Sequence, residues 1–300
     1  MGWGRAGRGA GRAGLHLIFV RLVIKFNSLH QQVIVFGAMN VTMLFISFMC
    51  LFMTAEGQDQ QNRVMGWLCL EFCDQTQEQI RNHMLEIELH KNSLDAVSFE
   101  KYTLGPNSTL VDNELTEVSF QLNAMGIETW PLLSSFPHPD EFMDWMREVF
   151  ANPDPFIMSC INEAKKYQYV GYNLDWEPTT DDVTDEDGIN YAAFIDTFAD
   201  ALHSAGLKLT VDIASWSPIW NLTAISATSV DRIISMSTYT STDSSFTHSL
   251  DALVDAAGPE RSGVGLENVN ASTGERISLD EVVWRFSSIE QSGATEIDIW

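Results

Sequence analysis

Short apolar runs alternate with amphipathic stretches from residue 64 to the end of the chain. Eight of these runs are rich in branched and aromatic residues, as is typical of buried β-strands. The predicted strands are 65–72, 96–102, 128–133, 170–176, 208–214, 232–238, 263–267 and 296–300. Because helical stretches separate them, they predict a parallel sheet, and eight repeats predict an α/β fold closed as a (β/α)8 TIM barrel.

Helical periodicity fills the segments between the predicted strands. The predicted helices are 75–92, 113–124, 140–167, 187–204, 223–227, 249–257 and 279–291. The third must break at Pro153 and Pro155, because proline cannot continue a helix interior. An open doubly wound sheet is the alternative, but no glycine-rich phosphate loop follows the first strand. The sequence stops at Trp300, so we expect the eighth, closing helix of the barrel to be missing from it.

The first part of the chain differs in composition from the rest. Residues 1–14 are a Gly/Arg/Ala low-complexity stretch, and residues 33–55 carry no charge and are long enough to span a bilayer. Small residues at 55 and 57 have the spacing of a signal-peptidase site. We therefore predict a leader over 1–57, either cleaved or kept as an anchor, and a barrel domain over 58–300. An error upstream in the gene sequence is a third possibility.

Both main interpretations of the leader send the barrel across a membrane, so we expect a secreted or lumenal protein. Membrane contact is expected only through residues 33–55, if they are retained. Three sequons agree with this compartment, at Asn107, Asn221 and Asn270. Beyond Cys50 in the leader, Cys69 and Cys73 could pair or stay free, and Cys160 is left over. Their spacing is not that of a zinc site, and no metal or organic cofactor is implied.

The formal net charge is −24, and five arginines and lysines precede the apolar leader segment. The folded part is therefore more acidic than the total suggests. An acidic surface argues against nucleic acid as a partner, because phosphate binding needs a basic face.

Candidate chemistry collects at the carboxyl ends of the predicted strands, where barrel enzymes place their active sites. Carboxylates and aromatic side chains stand there together: Glu71, Glu100, Tyr102, Trp130, Asp175, Glu177, Asp212, Trp216, Tyr239, Glu267 and Trp300. Aromatic faces stack on sugar rings, and carboxylates bind hydroxyls or transfer protons. The set is suited to an uncharged carbohydrate.

The fourth predicted strand ends in V-G-Y-N-L-D-W-E, residues 170–177. Side chains alternate along a strand, so Asn173, Asp175 and Glu177 should all point into the barrel. Acids buried close together raise one another's pKa. A raised pKa would keep Glu177 protonated near neutral pH, as a general acid requires.

This strand resembles the fourth-strand signature of glycoside hydrolase family 18, the chitinases and their relatives, written DGxDxDxE. The glycine, the last aspartate and the glutamate match, whereas Val170 and Asn173 replace the first two aspartates. Ser237-Thr-Tyr-Thr stands where the family has M-x-Y-D and keeps only Tyr239, and the third strand lacks the family's S-x-G-G. Trp300 stands where the family has the tryptophan beneath the central sugar.

The resemblance implies a glycosidase that hydrolyses β-linked N-acetylglucosamine polymers or oligomers with retention, assisted by the substrate itself. Glu177 would protonate the departing oxygen, and the substrate's 2-acetamido oxygen would attack the anomeric carbon. Asp175 would hold the acetamido N–H, Tyr239 would bind the acetamido oxygen, and Asn173 would orient Asp175. The other expected substrate-binding side chains are Trp130, Asp212, Trp216, Glu267 and Trp300.

Two alternatives remain open at this point. A retaining glycosidase with two carboxylates would use Glu177 as acid and Glu267 as nucleophile, which fits the strand positions but leaves Asp175 without a role. A chitinase-like lectin would bind oligosaccharides without cleaving them, although such proteins typically lose the glutamate that stands here at 177.

Overall fold

The computed structural model describes residues 62–70, 72–73, 75–113, 115–240, 242–267 and 275–300. The predicted leader and the sequon at Asn270 lie outside these residues. Within them, no helix is both long enough and apolar enough to cross a membrane.

The described residues form nine strands and eight α-helices. The strands are β1 Arg63–Leu68, β2 Ala96–Gly105, β3 Thr109–Asp112, β4 Glu128–Ser134, β5 Gly171–Asp175, β6 Lys208–Ile213, β7 Arg232–Ser235, β8 Ser262–Leu266 and β9 Glu296–Ile299. The helices are α1 Gln77–His90, α2 Thr116–Met125, α3 Phe142–Ala151, α4 Asp154–Tyr167, α5 Asp185–Ser204, α6 Leu222–Ser226, α7 Asp243–Ala257 and α8 Leu279–Ser292.

Eight strands close a parallel barrel, which confirms the predicted fold. Each pairs with the next barrel strand along the chain, and β1 pairs in parallel with both β2 and β9, so the sheet has no open edge there. Helices flank the sheet between successive strands, and the break predicted at Pro153 separates α3 from α4. The carboxyl ends of the strands therefore meet at one end of the barrel.

The ninth strand, β3, was not predicted. The chain continues past Tyr102 to Gly105, turns through Pro106–Ser108 and returns antiparallel to β2. A Cβ at Gly105 would lie within 3 Å of the Thr109 and Val111 side chains, so this tight return needs a glycine. The hairpin ends at Asp112, and α2 begins at Thr116, three residues later than the start of the predicted helix 113–124.

The hydrophobic core lies mainly between the barrel wall and the helices. Trp176, one residue beyond β5, is fully buried there, and its ring stacks on Phe194 of α5 with centroids 5.2 Å apart. Tyr191 of α5 also stacks on the Trp176 ring, with centroids 6.0 Å apart. This outer layer stabilises the wall and leaves the barrel interior available for polar side chains.

The cysteines of the barrel domain are now assigned. Cys69 and Cys73 form a disulfide just beyond β1, and Cys160 is free and buried in α4. Of the two possibilities left open by the sequence, the structure therefore shows the bridge.

Candidate active site at the carboxyl end of the barrel

Asn173 is the centre of a hydrogen-bond network inside the barrel. Its Oδ1 accepts from Trp67 Nε1 at 2.7 Å and from Ser98 Oγ at 3.0 Å, and its Nδ2 donates to Asp212 Oδ1 at 2.8 Å. These partners come from three other strands, so the predicted inward direction of Asn173 is confirmed. Because both ends of the amide are engaged, the network fixes its orientation.

Asp175 and Glu177 continue the same column toward the open end of the barrel. Asp175 is the last residue of β5, and Glu177 follows two positions later. The backbone N–H of Glu177 donates to Ser135 Oγ at 3.2 Å, which attaches the acid to the segment beyond β4. The strand alternation predicted for 173, 175 and 177 thus places two carboxyls above a fixed amide.

Burial sets the protonation of this column. It raises the pKa of Glu177 to about 7, and it raises the pKa of Asp175 well above its ordinary value, with the charges of Glu177 and Asp212 adding to the effect. Asp212 is also raised well above its ordinary value by burial, although the amide of Asn173 opposes the shift. A protonated carboxyl near neutral pH can act as a general acid.

In the described part of the chain, no basic side chain pairs with Asp175, Glu177 or Asp212. Lys101 of β2 forms its ion pair with Asp112 of β3 instead. The acids therefore respond to burial by holding protons rather than by pairing with cations.

An aromatic floor lies beside these acids. Trp67 contacts Tyr239 edge-on, with ring centroids 6.4 Å apart, and Trp300 at 6.3 Å. A Cβ at Gly265 would lie 2.9 Å from the Tyr239 ring, so glycine makes room for the tyrosine. Burial raises the pKa of Tyr239 well above 10, which leaves its hydroxyl as a neutral donor.

Trp67 was not among the site residues predicted from the sequence, and this omission was wrong. It occupies an inward position of β1, two residues after Met65, and its indole reaches the centre of the network. Counting alternate positions along the first strand would have found it.

Trp130 was predicted to bind substrate, and this was also wrong. It is 3% exposed and lies near the amino end of β4, where the guanidinium of Arg63 sits 5.2 Å from its ring centroid. The cause is the register: β4 extends to Ser134, so Ser134 and Ser135 reach the carboxyl end in place of the tryptophan.

Asp212 and Asn173 were predicted as substrate contacts, and the structure buries both beneath the cleft. Trp216 is 52% exposed, packs against Trp220 and, with Tyr239, lines a cavity of about 540 Å³. The rest of that lining carries hydroxyl or imidazole groups: Ser215, Ser237, Thr240, Ser244, Ser245, His248 and Ser249.

Glu267 follows β8, is half-buried, and has a raised pKa because of burial, opposed by Arg285. Direct sugar contacts by Trp216, Glu267 and Trp300 stay predictions. Among the described residues, no group of three or more His, Cys, Asp or Glu side chains is arranged to hold a metal ion.

No protein-family model and no curated protein sequence matches this chain. Solved structures do. The spore cortex-lytic enzyme of Bacillus cereus aligns with a TM-score of 0.66 at 12% identity, over 81% of this chain and 71% of that one. A class V chitinase of Pseudomonas fluorescens aligns with a TM-score of 0.63 at 14% identity, over 80% of this chain and 94% of that one.

A chitinase of Chromobacterium violaceum gives a TM-score of 0.58 at 17% identity, over 69% of this chain and 68% of that one. At these identities the likeness is one of fold. The chain therefore has the fold of chitinase-type catalytic domains, as the resemblance of its fourth barrel strand implied.

Proposed function

We propose that this chain is a glycosidase that hydrolyses β-linked N-acetylglucosamine chains of the chitin type. The observation that carries the proposal is the column at the end of β5, in which Glu177 has a pKa of about 7 beside a second buried carboxyl, Asp175. The chitinases and the cortex-lytic enzyme among the structures of similar fold favour a carbohydrate substrate.

In this proposal, Glu177 donates its proton to the glycosidic oxygen as the bond to the anomeric carbon breaks. The substrate's 2-acetamido oxygen attacks that carbon and forms a cyclic oxazolinium ion, which water then opens with Glu177 acting as base. Asp175 accepts a hydrogen bond from the acetamido N–H with a carboxyl oxygen, and Tyr239 donates its hydroxyl to the acetamido oxygen. Asn173 supports the column from below through its hydrogen bonds to Trp67, Ser98 and Asp212.

Charge interactions favour Asp175 over Glu267 as the partner of Glu177. The charge of Glu177 acts on Asp175 and Asp212, whereas the charged neighbour of Glu267 is Arg285. A scheme with Glu267 as nucleophile would leave the Asp175 carboxyl unused, although its Oδ1 is buried and has no hydrogen-bond partner among the described residues.

A secreted or lumenal location is part of the proposal. The Cys69–Cys73 disulfide supports it, because such bonds persist in oxidising compartments. The apolar segment 33–55 supplies the corresponding targeting signal, cleaved or kept as an anchor.

The test compares the purified protein with Glu177→Gln, and with Glu267→Gln as a matched control. Substrates are a fluorogenic N,N′-diacetylchitobioside and chitotetraose. We expect Glu177→Gln to lower kcat by about a thousandfold on chitotetraose, within the range of general acid catalysis, and by less on the aryl substrate, whose leaving group needs less protonation. Oligomer affinity should be retained.

The wild-type rate should fall as pH rises above about 7, because Glu177 then loses its proton. An equal loss of kcat in Glu267→Gln would support the two-carboxylate scheme instead. Binding of chitotetraose without release of product by the wild type would identify a lectin, and absence of both would refute the proposal.

A further inference from the structure

The sequon Asn107-Ser-Thr forms the turn between β2 and β3. Asn107 is exposed, and its φ of 57° lies in the left-handed region, which asparagine adopts more readily than most residues. Its backbone N–H donates to Glu148 Oε2 at 2.7 Å, and the Thr109 hydroxyl donates to the Pro106 carbonyl at 2.7 Å. These bonds hold the turn, and the Asn107 side chain makes no hydrogen bond to any other described residue.

The sequon at Asn221 lies in a different environment. Asn221 Oδ1 accepts from the backbone N–H of Ala224 at 3.0 Å and caps the start of α6. The residue is half-buried, and a Cβ built at Gly188 of α5 would lie 3.4 Å from the Asn221 Cβ. A glycan on Asn221 would leave from a side chain that already caps one helix and packs against another, whereas a glycan on Asn107 would start in solvent.

The strand next to the Asn107 turn has an open edge. Every barrel strand pairs on both sides, whereas β3 pairs with β2 alone among the described residues. Thr109, Val111 and Asp112 of β3 are exposed, Val111 at 41%. An open edge of this kind can pair with a strand of another chain, and proteins usually cover or charge it.

The distance along the strand allows one group to cover this edge. β3 has four residues and begins two positions after Asn107, so it spans about 13 Å. A bulky, hydrated group attached at the turn would therefore lie beside the edge that needs cover.

We propose that Asn107 carries an N-linked glycan that covers the open edge of β3. The inference rests on the secreted or lumenal location in the proposed function. The donor is a lipid-linked oligosaccharide diphosphate of the secretory membrane. A bond forms between Asn107 Nδ2 and the anomeric carbon of the first sugar, while the bond from that carbon to the diphosphate oxygen breaks. The amide gives one proton to a base of the transferase, and the lipid diphosphate leaves with the electron pair.

The test secretes the full chain with its own leader from a eukaryotic cell line and measures each sequon by glycopeptide mass spectrometry. We expect a glycan on Asn107. We expect Asn107→Gly, in which glycine adopts the same φ without strain, to lose one step of the mobility shift caused by enzymatic removal of N-glycans. Asn221→Ser is the matched control and should leave that shift unchanged, because serine keeps the cap of α6.

The covering role is measured on the secreted proteins by light scattering at equal concentration. We expect Asn107→Gly to aggregate several-fold faster than the wild type. Adding Val111→Lys to that variant should restore the wild-type rate, because a lysine on an open edge prevents pairing with another strand. Thermal unfolding of both variants checks that the fold is retained.

An unmodified Asn107 in a secreted chain that hydrolyses chitotetraose would overturn the inference and leave the proposed activity standing. Equal aggregation of the wild type and Asn107→Gly would refute the covering role. A chain that hydrolyses chitotetraose but never enters the secretory pathway would refute the inference together with the proposed location. A glycan on Asn107 in a chain without hydrolytic activity would support the inference and refute the activity.

Discussion

The two ends of the barrel contain the same kinds of acidic residue, but the side chains around these residues differ. At the amino end, Glu296 pairs with Arg63 and, at 2.7 Å, with Arg232, and Glu128 accepts from Arg63 at 2.6 Å. At the carboxyl end, Asp175 and Glu177 have no cation beside them in the described part of the chain. One end is a set of ion pairs, and the other is a set of acids with raised pKa.

The difference shows that a buried carboxyl group can either form a stabilising ion pair or keep a proton that it can later transfer. Taking a carboxylate out of water costs several kcal/mol of solvation at either end. At the amino end, the arginines offset that cost, and the hydrogen bond and charge of Arg63 lower the pKa of Glu128 although burial opposes the shift. At the carboxyl end, nothing offsets it, so Asp175 and Glu177 retain protons to higher pH, and protons are what a general acid needs.

The largest effect should come from removing a cation at the amino end. Arg63→Met leaves Glu128 without its ion pair and the buried Glu296 with a single arginine, so we expect the free energy of unfolding to fall by about 3 kcal/mol. Urea denaturation at neutral pH measures this. Lys166→Met, which breaks an exposed pair with Glu163, is the control and should change stability by less than about 0.5 kcal/mol. Equal effects would mean that the amino-end pairs do not hold the barrel together.

A middle-sized effect should come from adding an acid at the carboxyl end. Asn173→Asp replaces the Nδ2 donor, 2.8 Å from Asp212 Oδ1, with an oxygen, so one of the two carboxyls must hold a proton. We expect a loss of about 2 kcal/mol in unfolding free energy at pH 7.

That loss should shrink near pH 5, because an acid whose folded pKa is raised contributes stability at low pH that disappears as pH rises. Denaturation at both pH values tests the sign, with the exposed Asn190→Asp as the control. A pH-independent loss for Asn173→Asp would point to steric strain instead of charge.

The smallest effect should be a gain in stability. Asp298 on β9 is buried, and burial together with the charge of nearby Glu296 raises its pKa well above 3.8. Asp298→Asn removes the free-energy cost of protonating Asp298, or of burying it as an anion, at pH 7. We therefore expect the variant to be about 1 kcal/mol more stable than the wild type at pH 7.

The difference in stability between Asp298→Asn and the wild type should shrink as pH falls toward about 4. There the Asp298 carboxyl of the wild type is protonated in the unfolded chain as well as in the folded one. Paired thermal melts at several pH values measure it. A loss of stability at pH 7 would mean that ionised Asp298 has a favourable partner.

Strand number and side-chain alternation were predictable from the sequence, because both depend on local periodicity. They were sufficient to place Asn173, Asp175 and Glu177 in one inward column. The position of Trp130 along the barrel axis was not predictable in the same way, since it depends on where β4 begins relative to its neighbours.

The exposed position of Phe72 beyond β1, beside Phe136 and His138, was missed for a related reason. Phe72 was placed inside a predicted strand, and Phe136 and His138 lie in a loop whose path depends on contacts with other segments. The β3 hairpin was missed because a Pro-Asn turn after a long strand is equally compatible with a loop leading into a helix. Local pattern therefore predicted which residues share a face, and tertiary contacts decided which faces meet.

The alternation at the end of β5 has a consequence for how such a protein can evolve. Trp176 packs against the helices and Glu177 faces the cleft, although they are adjacent in the chain. Apolar side chains in a packed layer can be exchanged for others of similar volume at modest cost, whereas an acid that transfers a proton has few substitutes. Over long divergence, proteins with this barrel can exchange the outward-facing residues of a strand and keep the inward-facing acids. Their relationship is then visible only at alternate positions of the strand.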